Sequence, residues 1–363
     1  MKKLALVMLL SVLMLLWASS LGGCRADTSP EGIVKAELNL IKKLDKDTIR
    51  SFVSYEDMMQ SQSTSTDIGS ETTEAVQLFF KDFDYKILSS STTDKTATVN
   101  VQITNIDAKA LAKDLCRAVI SKSVSPDSAQ ELSDMRSYFS LLRDILSENS
   151  YDKVSTPVHF ELVNTEDGWS IQTSETLEDE LVGGFISCLH DQNLISPEEV
   201  VTLTMDALKS LTAAQWVAYL GMDDIFSTYN QLGSEIDLAL AEQISRHFSY
   251  TIKEARVEDS EAQVDVEITS LDLEQVLSDY RDDLLEYAST TEAVRASDSE
   301  LSDKTSQLLL DCLKNNESST SHDVTLNFSN NGYTWELQLD DTFTEALLGN
   351  LTEAMETFQA SSY

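Results

Sequence analysis

Few residues in this sequence have the types and spacing that catalysis or metal binding requires. Its four histidines are scattered, at His159, His190, His247 and His322. No two of them have the spacing of zinc ligands, and we expect His159 and His247 on the polar face of a strand. The sequence also lacks the G-x-S-x-G, P-loop and G-x-G-x-x-G motifs. We therefore expect no metal, no cofactor and no enzyme of a known motif class.

Pairs of acidic residues offer no complete calcium loop. Asp45 and Asp47 lack the turn glycine and the downstream glutamate that an EF-hand loop needs. Asp340 and Asp341 are better explained as a helix N-terminal signal, because acids favour the positive end of the helix dipole.

Four aromatic residues are the candidate lining of a ligand cavity, namely Tyr85, Trp169, Tyr250 and Trp335. The two tyrosines are the polar exceptions on otherwise apolar inward strand faces, and we place the tryptophans near them in the sheet. Such a cavity would bind a small apolar ligand, with the hydroxyls as polar handles. The preferred interpretation is that each tyrosine is a buried side chain that bonds a backbone group. No titratable partner for acid–base catalysis is evident on the inward face.

The N-terminus has the pattern of an export signal, in which Lys2 and Lys3 precede an apolar run from Leu4 to Trp17. The residues LGGC that follow resemble the bacterial lipobox, where cleavage precedes a cysteine that carries a diacylglyceryl group. We therefore expect a lipoprotein signal peptide over residues 1–23 and a lipidated Cys24. The alternative is an uncleaved membrane helix, because such a helix needs only about 20 apolar residues.

A cysteine with two or three acyl chains would hold the protein firmly on the extracytoplasmic face of the bacterial cell membrane. Residues 24–28 then form a tether, which at about 3.5 Å per residue keeps the first domain close to the membrane. The expected partners are the membrane, through the lipid on Cys24, and another cell-surface protein or a small apolar ligand.

The composition is strongly acidic, with 26 lysines and arginines against 62 aspartates and glutamates and a formal net charge of −36. Nucleic acids and anionic lipids are bound through cationic contacts, so this composition argues against both as direct partners. A solvated surface that resists aggregation explains the charge, and a surface for cations or a basic partner is the alternative.

Three cysteines follow Cys24, namely Cys116, Cys188 and Cys312, and an odd number cannot all pair within one chain. We expect buried free thiols that pack as small hydrophobic side chains. The alternative is a Cys116–Cys188 disulfide, which is compatible with an exported protein.

An internal duplication covers most of the chain. The segment SPEGIVKAELNLIKKL returns 167 residues later as SPEEVVTLTMDALKSL, and FDYKILSSSTTDKTATVNVQITNID returns 165 residues later as FSYTIKEARVEDSEAQVDVEITSLD. VHFELVNTEDGW returns 166 residues later as VTLNFSNNGYTW. Each copy is long enough to fold alone. We therefore expect repeat 1 at 29–189, a linker at 190–195 and repeat 2 at 196–363.

Each copy is predicted to contain, in order, helices, a hairpin, an inserted pair of helices, a second hairpin and a final helix. Ser29 and Ser196 are predicted N-caps, each followed by proline. A second short helix is predicted around Phe52 in copy 1 and Trp216 in copy 2. Apolar and polar residues alternate along the hairpins, so one face of each sheet is predicted to pack on the hydrophobic core and the other to face solvent.

Further caps mark the inserted and final helices. Asp107 and Asp272 cap the inserted pair, with Gln275 at capping-box spacing after Asp272. Another cap is predicted at Ser125, and one final helix is predicted from about Thr176.

Each copy resembles the NTF2-like, or cystatin-like, domains of uncharacterised lipoproteins from Gram-positive bacteria. The resemblance rests on the lipobox, on the hairpins YKI…ATVNVQITN and YTI…AQVDVEITS, and on the segments WSI…LEDELVGGF and WEL…TEALLGNL. It implies an α+β fold of two tandem NTF2-like domains. Each would have an antiparallel sheet of about four strands, covered on one face by helices, with an inserted helical pair. It implies no particular activity.

Two functions are consistent with these features. The first is a membrane-anchored extracytoplasmic lipoprotein that acts as a non-enzymatic ligand-binding or protein-interaction module. The alternative is an NTF2-like hydrolase or isomerase that acts on a small apolar substrate in the domain cavity. That enzyme needs an open cavity and an acid brought in by a helix. Helical side chains would close the cavity if they filled it, and the candidates are Leu111, Leu115 and Val119, with Val276, Tyr280 and Leu284 in copy 2.

Overall fold

The computed structural model describes residues 27–44, 70–124, 135–222, 232–331, 334–338 and 340–360. The predictions of a signal peptide, of a lipidated Cys24, of a second short helix in copy 1 and of a cap at Ser125 all fall outside these residues. None of the described helices is long and apolar enough to cross a membrane.

The chain divides into two compact units. The first comprises Met1–Val119 and Glu131–Leu194, and the second comprises Ile120–Gln130 and Ile195–Tyr363.

The described elements of the first unit follow the predicted order. They are α1 (Pro30–Lys42), α2 (Ser70–Phe79), β1 (Asp84–Thr92), β2 (Thr96–Ile106), α3 (Ala108–Val124), α4 (Met135–Glu148), β3 (Lys153–Thr165), β4 (Gly168–Ile171), α5 (Glu175–Leu181) and α6 (Phe185–Leu189).

Among the described residues, the second unit repeats this order and contains two helices more than the first. Its described elements are α7 (Pro197–Lys209), α8 (Ala213–Leu220), α9 (Gly233–His247), β5 (Ser249–Glu258), β6 (Glu261–Leu271), α10 (Leu273–Ala288), α11 (Thr291–Arg295), α12 (Asp298–Asn315), β7 (Ser319–Asn330), β8 (Trp335–Gln338), α13 (Asp341–Leu347) and α14 (Leu351–Ala360).

Each unit contains a four-stranded antiparallel sheet. The strand orders are β1-β2-β3-β4 and β5-β6-β7-β8, so consecutive strands are neighbours throughout. The α+β class and the four-stranded antiparallel sheets are therefore confirmed. The first hairpins share their register, since Tyr85 pairs with Ile103 and Tyr250 pairs with Ile268. The two edge strands β1 and β5 also share an irregularity, which falls at Leu88 and at Lys253.

Alternation along the strands separates core from solvent. On β2, the side chains of Val99, Val101 and Ile103 are fully buried, while Asn100 and Gln102 between them lie on the polar face. Strand β6 repeats the pattern, and its buried residues are Val264, Val266 and Ile268. Helix α1 packs on β1, β2 and β4, and α7 packs on β5, β6 and β8. One helix therefore spans the apolar face of each sheet.

Hydroxyl and carboxylate caps set the starts of the helices as the sequence predicts. The Ser29 hydroxyl accepts a hydrogen bond from the amide of Gly32, and Ser196 caps α7 in the same way. Asp272 accepts from the amide of Gln275 at 3.0 Å. The predicted capping box does not form there, because the Gln275 side chain donates instead to Asp279, one turn along the helix.

The final helix of copy 1 is two short helices, and the prediction of one continuous helix is wrong. Helix α5 ends at Leu181 and α6 begins at Phe185. Gly183 and Gly184 between them have φ values of 69° and 78°, which end a helix.

The same buried link joins the final helices to the sheet in both units. The Asn105 side-chain amide donates to the carbonyl of Leu181, and the Ser270 hydroxyl donates to the carbonyl of Leu347. Gly349 follows this link with a φ of 66°. A Cβ on Gly349 would lie 2.3 Å from the carbonyl oxygen of Leu271. The backbone of β6 therefore leaves no room for a side chain at this turn.

Gly349→Ala should destabilise the second unit more than Gly221→Ala does. Both glycines have positive φ, and a Cβ on Gly221 would meet nothing within 4 Å. Gly221→Ala is the control, and we expect backbone strain to lower its free energy of unfolding by about 1 kcal/mol. We expect Gly349→Ala to lower the free energy of unfolding by at least twice as much, because the backbone around it must also move. Urea unfolding followed by tryptophan fluorescence measures both. Equal losses would contradict the close approach of Gly349 to β6.

Candidate functional site

The two candidate tyrosines bond to the first helix of their own units. The Tyr85 hydroxyl donates to the Asn39 side-chain oxygen at 3.0 Å, and the carbonyl of Lys35 lies 3.4 Å away. The Tyr250 hydroxyl donates to Asp206 Oδ1 at 2.8 Å, and the carbonyl of Thr202 lies 3.4 Å away. Both tyrosines are half-buried. Each hydroxyl therefore binds one turn of the helix that spans its sheet.

Asp206 is a titratable partner that the sequence analysis missed. The 167-residue repeat places Asp206 opposite Asn39 and Thr202 opposite Lys35, so the duplication is the signal that pairs these positions with the tyrosines. Burial first, and then the hydrogen bond to Asp206, raise the pKa of Tyr250 to about 12. The hydroxyl therefore keeps its proton at neutral pH and acts as a donor to the carboxylate.

The two tryptophans do not lie beside the tyrosines, and this part of the prediction is wrong. Trp169 is on β4 and Trp335 is on β8, at the sheet edges opposite β1 and β5. Two strands separate each pair, which corresponds to roughly 14 Å across a sheet. Trp335 is 5% exposed and Trp169 is half-buried. The meander order explains the error, because it puts the first and last strands at opposite edges.

Six helical side chains are predicted to fill the cavity, and they differ in burial. Leu111, Leu115 and Val276 are buried, and the other three, Val119, Tyr280 and Leu284, are half-buried. The Tyr280 ring also stacks on Phe358 of α14, with 6.0 Å between the ring centroids.

Two neighbouring clefts lie on the polar face of the second sheet. Their volumes are about 480 and 490 Å³, and both are lined by Arg256, Gln263 and Asn327. The first cleft is completed by Glu258, Glu261, Ala262, Phe328, Ser329 and Gln338. The second is completed by Asp323, Val324, Thr325, Asp340 and Thr342. Each volume is within the range of small-molecule and peptide side-chain sites.

The basic side chains on this face are paired with acids of the sheet. Arg256 forms an ion pair with Asp265, and Lys253 lies 2.9 Å from Glu267 and 2.5 Å from Asp323. The Thr325 hydroxyl, and then Arg256, lower the pKa of Asp265 below its ordinary value. Positive charge on this face is therefore neutralised within the sheet.

The histidines and cysteines do not assemble into a reactive centre among the described residues, where no group of three or more metal-ligating side chains occurs. His159 is on the polar face, beside Asn100, as predicted. His247 ends helix α9 instead of lying on a strand, which corrects that prediction. Cys188 is a free thiol, so the Cys116–Cys188 disulfide is not formed. Burial raises the pKa of Cys188 and of Cys312, the latter to about 12.

One carboxylate is buried without a partner for one of its oxygens. Glu178 on α5 is 2% exposed, and its Oε2 accepts no hydrogen bond from any residue that the structure describes. Burial, and then the charge of Glu175, raise the pKa of Glu178 above its ordinary value. The folded state therefore holds the proton of Glu178 more tightly than the unfolded state does.

Comparisons with known proteins identify no family for this chain. No protein-family model matches the sequence, and no curated protein sequence matches it. A solved structure of ycdA from Bacillus subtilis, provisionally described as a lipoprotein, is 15% identical over 74% of this chain and 94% of that chain. The TM-score is 0.28, so this likeness carries no argument about fold or function.

Tyr250→Phe should destabilise the second unit by about 1 kcal/mol, because it removes a hydrogen bond to a charged acceptor. Tyr85→Phe is the matched control, since its acceptor on Asn39 is neutral, and we expect a smaller loss. Chemical denaturation measures both. A Tyr250→Phe variant as stable as the wild type would show that the bond to Asp206 does not hold helix α7.

Glu178→Gln should stabilise the first unit at high pH and not at low pH. The free energy of unfolding falls as pH rises from the unfolded pKa of Glu178 to its folded pKa, because the native state binds more protons in this window. We expect a gain of about 1 kcal/mol near pH 8 that disappears near pH 4. Glu166→Gln, at an exposed residue, is the control for thermal melts at both pH values. A gain that does not depend on pH would contradict this account.

Proposed function

We propose that this protein is a membrane-anchored extracytoplasmic lipoprotein and that its two NTF2-like domains form a non-enzymatic interaction module. The observation that carries the proposal is the placement of the clefts. Both lie on the polar face of the second sheet, while helix α7 covers the apolar face. A ligand can reach the polar face without displacing the core, because no packed helix has to move.

The anchoring part of the proposal rests on the N-terminal sequence. Residues 1–23 have the charged, apolar and small-residue regions of an export signal, and Cys24 completes the lipobox pattern. The protein surface has a large negative charge, which anionic lipids repel. The lipid on Cys24 would therefore supply the membrane affinity.

The NTF2-like part of the proposal is supported by the order of elements. In each unit, helices precede a hairpin, a helical pair separates this hairpin from the second one, and short helices follow. The sheet lies under a helix that crosses from one edge strand to the other. This is the arrangement that the resemblance implies for each repeat.

The enzyme alternative keeps one supporting contact, which is the 2.8 Å bond between Tyr250 and Asp206. It needs the tyrosine to give or take a proton near neutral pH. The pKa of about 12 for Tyr250 opposes this role, and the equivalent Tyr85 faces the neutral Asn39. The repeated contact is better explained as a tie between helix and sheet.

Cys24→Ala should abolish the lipid-mediated attachment of the protein to the membrane. We expect the wild type to sediment with membranes and to be digested by protease added to intact cells without a wall. The Cys24→Ala variant should keep its signal peptide or appear in the medium, because no acyl chains are attached. Cys188→Ala, which leaves the lipobox intact, is the control and should behave as the wild type. A Cys24→Ala protein of wild-type mass that stays in the membrane would favour an uncleaved helix and contradict lipidation.

A further inference from the structure

We infer that the polar face of the second sheet is a docking surface for an extended, lysine-bearing peptide segment of a partner protein. The surface, here called the β6–β7 face, consists of the residues that line the two clefts around Gln263 and Asn327. This inference deepens the proposed interaction function, because it names the chemistry of the partner.

The negative charge of the chain is concentrated in the second repeat. Residues 29–195 carry 15 lysines and arginines against 28 acids, a net charge of −13. Residues 196–363 carry 8 against 33, a net charge of −25 over nearly the same length. No lysine or arginine follows Lys314. Half of this difference lies in the inserted helices, since residues 107–148 carry a net charge of −1 and residues 272–314 carry a net charge of −7.

Three acidic side chains on the β6–β7 face lack cationic partners among the described residues. The two clefts are lined by four acids, Glu258, Glu261, Asp323 and Asp340, and by one base, Arg256. Arg256 is already paired with Asp265, and Asp323 is paired with Lys253. Glu258, Glu261 and Asp340 form no ion pair with any described residue and are exposed. Charge complementarity therefore points to a cationic occupant with at least two positive groups.

The side-chain amides between these acids favour a peptide over a simple polyamine. The Gln263 amide donates to the Asn327 oxygen at 3.0 Å. This bond leaves the Gln263 oxygen as an acceptor and the Asn327 amide as a donor, both on the cleft wall. A peptide backbone offers a donor and an acceptor at each residue, whereas a polyamine offers donors only. The lining thus matches a backbone flanked by basic side chains.

The first repeat provides an internal comparison, because its sheet has the same register. Gln263 pairs with Arg256 and Asn327 in the second sheet, and Thr98 pairs with Ser91 and Glu161 at the equivalent positions. The four acids that line the clefts of the second repeat correspond to neutral residues in the first. Their counterparts by the repeat spacing are Thr93 for Glu258, Thr96 for Glu261, Pro157 for Asp323 and Ser174 for Asp340. The fold therefore does not require acids at these positions.

The test uses the chain from Arg25 onward, which keeps both units whole, and a capped Lys-Ser-Lys-Ser-Lys peptide as the probe. Isothermal titration measures binding at about 20 mM and about 300 mM salt. We expect binding at low salt that weakens at high salt. The triple variant Glu258→Thr, Glu261→Thr and Asp340→Ser should bind about tenfold more weakly. Ser174 caps α5 in the first repeat, so Asp340→Ser should preserve the cap of α13.

The matched control removes three equal charges elsewhere on the second unit, through Glu242→Gln, Glu286→Gln and Glu356→Gln, all at exposed residues. We expect this control to change affinity less than twofold. Melting curves check that each variant is folded. If the triple variant is not folded, the single variant Glu261→Thr replaces it in the binding measurement. Equal weakening in the control and the triple variant would overturn the inference, since binding would then follow net charge alone.

Two further probes identify a different occupant. Spermine that binds as tightly as the peptide and loses the same factor in the triple variant would overturn the peptide assignment in favour of a free polyamine. Calcium binding without peptide binding would overturn it as well. A neutral Gln-Ser-Gln-Ser-Gln peptide should not bind. None of these outcomes depends on the lipidation of Cys24, so they are distinguishable from a failure of the anchoring proposal.

Discussion

The packing of one helix across the apolar face of each sheet is the contact on which the rest of this structure depends. Helices α1 and α7 cover strands at both edges of their sheets, and the inward residues of β2 and β6 are fully buried beneath them. Because successive side chains of a strand alternate between faces, the burial of one face leaves a second face that is extended, polar and uncovered by these helices. The hydroxyls of Tyr85 and Tyr250 hold the same helices at the sheet edge.

The duplication separates the residues that the fold needs from those that it does not. Both copies keep the serine caps, the register of the hairpin, the tyrosine tie and the buried link from the end of the second strand to the final helix. The polar face of the sheet also differs in charge between the copies. The residue at the strand irregularity is Leu88 in the first copy and Lys253 in the second. Lys253 forms ion pairs with Glu267 and Asp323. Such divergence on a shared fold supports the proposal that a cationic partner binds the second sheet and not the first.

Local features of this fold follow from the sequence, and features set by strand order do not. The hairpins and the caps at Ser29 and Ser196 are encoded by neighbouring residues, so periodicity and cap chemistry are sufficient to predict them. The position of Trp169 depends on which edge the second hairpin joins, and alternation within a strand contains no information about that choice. The bond between Tyr250 and Asp206 and the clefts beside Gln263 likewise depend on elements far apart in the chain. The repeat spacing is sufficient to predict the pairing of Asp206 with Tyr250, whereas the clefts depend on the register of four strands.

The central claim is that this protein recognises its partner on the outer face of the second sheet and not within a cavity under the helices. Hydrogen–deuterium exchange of the chain from Arg25 onward, with and without the lysine peptide, tests that claim most directly. The account predicts slower exchange in β6, β7 and the turn between β5 and β6, and unchanged exchange in α1 and α7. Protection confined to α7 or α10, with β6 and β7 unchanged, would place the ligand under the helices and contradict the account.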